Sequence, residues 1–132
     1  MPNINNAKGV YNELRLAKEF ANNGTYGISY RSSDITIDEF VQNLVLQIGP
    51  VEAALIEEKA PEMCHLIKTQ AVQDGHLSHI HDISEVAWTA LPDTEQSPGD
   101  HEKFTGVKDT NSDGDIGVKS SQGYFFVSAK YG

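Results

Sequence analysis

Apolar residues recur at helical spacing from Ala7 to Asn23, where Val10, Leu14, Ala17, Phe20 and Ala21 fall on one face and Asn22-Asn23-Gly24 stops the pattern. With Val10 at the origin and 100° per residue, Ala17 lies at about −20°, Glu13 at about −60° and Phe20 at about −80°. The Glu13 carboxylate therefore projects from inside the apolar arc. Tyr26 to Arg31 is polar and contains glycine, which suits a short strand or a loop. Thr36-Ile37-Asp38-Glu39 then offers a capping box for a helix carrying Phe40, Val41, Leu44, Val45 and Ile48, closed by Gly49. Pro50 suits the first turn of a further helix through Ala54, Leu55 and Glu58, and Pro61 opens another with Met63, Leu66, Ile67 and Val72 before Gly75. The middle third is a helical block.

From Glu85 the period changes, because Val86, Trp88 and Ala90 alternate with Ala87 and Thr89 as strand residues do. A polar loop follows from Pro92 to Lys103, then a short strand over Phe104 to Lys108. Asp115 to Lys119 and Tyr124 to Tyr131 predict a hairpin joined across Ser120-Ser121-Gln122-Gly123. A turn centred on Ser121-Gln122 sets Lys119 opposite Tyr124, Gly117 opposite Phe126 and Asp115 opposite Ser128. Alternation then gathers Asp115, Ser128 and Lys130 on one face, while Ile116, Val118, Phe125, Val127 and Ala129 line the other and bury against helices. No internal repeat or low-complexity tract interrupts this order, and 132 residues are one domain's worth of chain.

An inward-facing helical carboxylate, followed by a strand whose Asp pairs opposite a residue two positions before a Lys, resembles the core of the PD-(D/E)xK nucleases, the restriction-endonuclease-like superfamily. The residues are Glu13, Asp115, Ser128 and Lys130. The resemblance covers the N-terminal helix and residues 85–131, with 34–75 as a helical insertion, and implies an α/β (α+β) fold ending in a mixed sheet of at least three strands. It implies a Mg²⁺-dependent DNA endonuclease, with Mn²⁺ as a surrogate metal. Glu13, Asp115 and the backbone carbonyl of Ala129 would ligate the metal, Ser128 would contribute through a water, and Lys130 would position the attacking water. Ser128 stands where the family usually has Glu or Asp. The chain ends two residues past Lys130, whereas the family core continues with a helix and a strand. A truncated or inactive copy is therefore expected, with an exposed apolar edge strand that joins a second copy into an oligomer. A phage or bacterial source suits the resemblance.

Charge and composition sharpen these expectations. Ten Lys plus Arg against 19 Asp plus Glu leave a net charge of −9. Such a chain has no bulk attraction for nucleic acid, so a DNA-binding face must draw on Lys103, Lys108, Lys119 and Lys130. No apolar run approaches the roughly 20 residues of a membrane span, and Met1 to Asn6 lacks both a basic and an apolar leader region, so a cytoplasmic protein without a membrane partner is expected.

Other residues carry rival readings. Glu13 and Asp115 could instead be ordinary partners, Glu13 of Arg31, Lys130 or a backbone amide and Asp115 of Lys130 across the hairpin. Asp109-Thr110-Asn111-Ser112-Asp113-Gly114-Asp115-Ile116 matches the start of an EF-hand loop, with oxygen donors at Asp109, Asn111 and Asp113. Ser120 replaces the closing Glu, so the alternative is a looser Ca²⁺ loop in a noncatalytic binding or oligomerisation module. His76, His79 and His81 with Asp82 offer imidazole ligands within seven residues, and Cys64 sits inside a helical pattern as a small buried hydrophobe. Trp88 and Tyr131 read as core or edge residues.

Overall fold

The inward arc of the first helix sets the architecture. In the computed structural model, which describes residues 4–21, 37–89, 93–111 and 114–128, α1 spans Ile4–Phe20 and buries Ala7, Tyr11, Leu14, Leu16, Ala17 and Phe20. α2 (Ile37–Ile48) and α3 (Pro50–Gln73) pack against it. The expected break at Pro61 does not occur, and one helix of 24 residues replaces the two read from the sequence. Ala53, Ile56, Ala60, Cys64 and Ala71 form a buried stripe along α3 that runs through the proline. Pro61 is itself exposed, so the carbonyl it leaves unbonded faces water while burial of the stripe holds the helix together.

The strands are β1 (Glu85–Trp88), β2 (Ile116–Ser120) and β3 (Gly123–Val127), paired antiparallel in the order β1-β2-β3. The fold is thus mixed α and β, with an antiparallel three-stranded sheet rather than the mixed sheet the resemblance implied. The hairpin register is the expected one: Lys119 faces Tyr124 and Gly117 faces Phe126. Val86, Trp88, Ile116, Val118, Phe125 and Val127 share the face that buries against α1, α2 and α3 in two apolar clusters.

The opposite sheet face is covered by an element the sequence did not suggest. α4 (Asp100–Thr105) forms partly within the polar loop, where its last two residues replace the start of the short strand expected at Phe104 to Lys108. Its start is held by Asp93, whose Oδ1 accepts the N–H groups of Gly99 at 2.6 Å and Glu102 at 3.2 Å, while Oδ2 accepts that of Asp109 at 2.8 Å. Its end is closed by Gly106 in the left-handed region at φ 80°, with an N–H bond to the Glu102 carbonyl. Phe104 and His101 then lie over Phe126, and a Cβ on Gly117 would come within 2.8 Å of the Phe104 ring. Gly117 lets α4 approach the sheet.

Burial alone would raise the pKa of Asp93, but the three N–H donors and nearby His101 outweigh it and hold the carboxyl below its usual range. A depressed folded-state pKa adds stability above the unfolded value of about 3.9, and that stability disappears as pH falls through the lower folded value. Asp93→Asn should therefore destabilise the protein by about 1–3 kcal/mol at pH 7. Urea titrations at several pH values should show the gap to wild type narrowing below about pH 4.

Candidate functional site

Glu13 stands on the α1 face turned toward the sheet and is half-buried. Its Oε2 accepts the indole N–H of Trp88 at 2.8 Å. Trp88 is 2% exposed, so its N–H needs a protein acceptor, and a carboxylate inside an apolar arc needs a donor. Each group resolves the other's desolvation. The arginine and lysine considered as Glu13 partners, Arg31 and Lys130, lie outside the described residues.

Asp115 reaches the same end of β1 by another route. Its carbonyl accepts the N–H of Thr89 at 2.8 Å, and the Thr89 hydroxyl donates to the Gly114 carbonyl at 2.9 Å. The Asp115 N–H donates to the Val127 carbonyl at 2.9 Å, although Val127 already partners Ile116. Asp115 and Ile116 therefore oppose one residue, a β-bulge that breaks strict alternation where Asp115 enters the strand. The simple Asp115–Ser128 pairing is modified accordingly. Ser128 is exposed just past β3, while Ala129 and Lys130 lie outside the described residues.

The Glu13 carboxylate and the Asp115 backbone are thus tied to consecutive residues, Trp88 and Thr89. The sequence singled out both acids but treated Trp88 as plain core. Its signal was available: a buried indole and an inward carboxylate each lack a partner until they meet. Among the described residues, no three His, Cys, Asp or Glu side chains assemble into a cation site.

The rival motifs have structural duties. Asp109 accepts the Asn111 N–H on Oδ1 at 3.0 Å and gives its own N–H to Asp93, while Asp113 lies outside the described residues. β2 follows this turn, so no helix–loop–helix forms around it. His76 stacks on Phe125 at 5.3 Å, and His79 Nδ1 accepts the His81 N–H at 3.2 Å. Asp82 ties this loop to the hairpin turn. Its carboxylate accepts the hydroxyl and N–H of Ser121 and those of Ser78, and the Ser121 hydroxyl and Ser78 N–H are the main reasons its pKa lies far below the usual range. Burial pushes the Cys64 thiol up to about 11, against the opposing pull of Lys68. This thiol is packing, not a nucleophile.

No family model, curated protein or solved structure matches the chain.

Trp88→Phe keeps most of the ring but removes the donor to Glu13, and chemical denaturation should register a loss of about 1–3 kcal/mol. Glu13→Gln keeps a carbonyl acceptor for the indole and should cost less than about 1 kcal/mol in the same assay. Native Cys64 should resist a disulfide reagent at pH 8, with labelling appearing only in denaturant; rapid labelling of the folded protein would contradict its burial.

Proposed function

We propose that this chain is a restriction-endonuclease-like, Mg²⁺-dependent phosphodiester hydrolase that acts on DNA. One observation carries the reading: Glu13 and Asp115, far apart in sequence, are tied to consecutive residues at the end of β1, Glu13 through its carboxylate to the Trp88 indole and Asp115 through its backbone carbonyl to the Thr89 amide just past the strand. The half-burial of both residues supports it, since partly desolvated carboxylates attract a hard cation more strongly than fully hydrated ones. Bound Mg²⁺ would polarise the scissile phosphate and make its water a better nucleophile.

The residues of this chain divide the remaining work. Glu13 and Asp115 supply anionic oxygens. The Trp88 N–H engages one oxygen of Glu13 and so fixes the orientation of the carboxylate plane. The bulge at Asp115–Ile116 breaks strict alternation and would set the direction of the Asp115 side chain. Ser128 follows β3 at this end of the sheet and would contact a metal-bound water, the Ala129 carbonyl would add a ligand, and the Lys130 ammonium would hold the attacking water.

The proposal places the enzyme in the cytoplasm as an oligomer joined through β3. Lys108 and Lys119 already pair with Glu102 and Glu85, which leaves few cations for phosphate. Binding should accordingly engage few phosphates and show a shallow salt dependence.

Calorimetric titration with Mn²⁺ and Mg²⁺, run beside a plasmid-nicking assay, tests the assignment. Glu13→Gln and Asp115→Asn should each weaken Mn²⁺ binding by at least about ten-fold without unfolding the protein. Unchanged affinity in Asp115→Asn would sink the proposal. Ca²⁺ binding lost on Asp109→Asn, with no Mn²⁺ site at Glu13, would support the noncatalytic calcium module instead.

A further inference from the structure

α1 presents a second polar pair on the side away from Glu13. Tyr11 and Arg15 stand one turn apart, and at 100° per residue each lies about 160° around the helix from Glu13. There α1, α2 and α3 leave an open groove of about 450 Å³, in the size range of small-molecule sites. One wall is apolar, built from Val41 and Val45, one turn apart on α2, with Leu46 at the rim and 81% exposed. The other side is charged, with Arg15 from α1 and Glu57 from α3. The hydroxyl of buried Tyr11 donates to Glu57 Oε1 and holds that carboxylate in place.

Arg15 and Glu57 line one groove, yet no ion pair joins them. Among the described residues Arg15 has one charged neighbour, Glu19, with Nη2 and Oε1 3.9 Å apart, beyond hydrogen-bond reach. Its Nε is buried and has no hydrogen-bond partner. A buried donor left unmade is costly, and folded proteins seldom keep one without a use. Two opposite charges held apart beside an apolar wall complement a molecule that carries both charges and an aliphatic group.

We propose that this groove binds an aliphatic zwitterion, the chemistry of a free aliphatic amino acid or of a short aliphatic peptide. Its carboxylate meets Arg15, whose planar guanidinium suits a carboxylate. Its ammonium meets Glu57, and its side chain lies on Val41, Val45 and Leu46. A simple anion would face Glu57 and Glu19 in a chain of net charge −9, and a simple cation would leave Arg15 unmet. The zwitterion adds no net charge and answers both groups. Covering the exposed leucine and the two half-buried valines removes apolar surface from water, which supplies the remaining attraction.

Titrating isotope-labelled protein with L-leucine, and separately with leucyl-leucine, tests the site through the NMR shifts of the Val41, Val45 and Leu46 amides and of the Arg15 Nε–H. At least one compound should saturate these shifts with a Kd at or below about 1 mM, and the tighter of the two identifies the source. Amidating the carboxylate of that compound, or acetylating its amine, should each weaken binding at least about ten-fold. Arg15→Gln and Glu57→Gln should cause the same loss, and the second substitution keeps an oxygen for the Tyr11 hydroxyl. Leu46→Ser, at an exposed position where folding is not at stake, should weaken binding about three-fold.

Absence of saturable shifts with both compounds up to about 20 mM overturns the proposal. So does an acetylated form that binds as well as its parent, or binding that survives Arg15→Gln. The groove and the Glu13 carboxylate lie on opposite sides of α1, so Arg15→Gln should leave Mn²⁺ affinity unchanged and either site can fail without the other.

Discussion

The hydrogen bond from the Trp88 indole to Glu13 is the constraint on which the remaining structure hangs. Trp88 pairs with Ile116 in the sheet, its ring lies 5.4 Å from that of Phe40 on α2, and its N–H meets a carboxylate on α1. One side chain therefore sets the relation among α1, α2 and the sheet. The bond joins a buried indole donor to a half-buried carboxyl acceptor, so each group meets a partner where water is scarce.

The second face of the sheet follows a different logic. Few apolar residues are available there, and a six-residue helix has little stability of its own. α4 survives because Asp93 collects the N–H groups around its start and Phe104 drops onto Gly117, where the absent side chain leaves room. Asp82 performs a similar task for the loop before β1, binding Ser78 and Ser121 and so tying the α3–β1 connection to the hairpin turn. Two aspartates thus hold loops in place through backbone amides and hydroxyls, and the acidic composition is partly explained by this work. A high carboxylate count in a small domain need not mean cation binding.

The three strands of one short sheet do different work. The end of β1 at Trp88 ties down Glu13, the Thr89 amide beside it ties down the Asp115 backbone, and β2, with Ile116 and Val118 fully buried, holds β1 and β3 in fixed relation.

Periodicity was a sound guide wherever local pattern and burial agreed. The inward position of Glu13, the first helix, the α2 pattern, the change of period at Glu85 and the hairpin register all follow from side-chain spacing, which the geometry of a helix or a strand repeats without knowledge of the rest of the chain. Three features needed the tertiary structure. Pro61 stays inside α3 because a buried stripe on the far side outweighs one missing hydrogen bond. α4 replaces a strand because Asp93, seven residues before it, supplies the amide acceptors that α4 lacks locally. Asp115 leaves simple alternation because its N–H and that of Ile116 converge on Val127. Local spacing determined which side chains face the core; only packing and long-range hydrogen bonds decided that an indole would meet Glu13 and that the next residue, Thr89, would hold the Asp115 backbone.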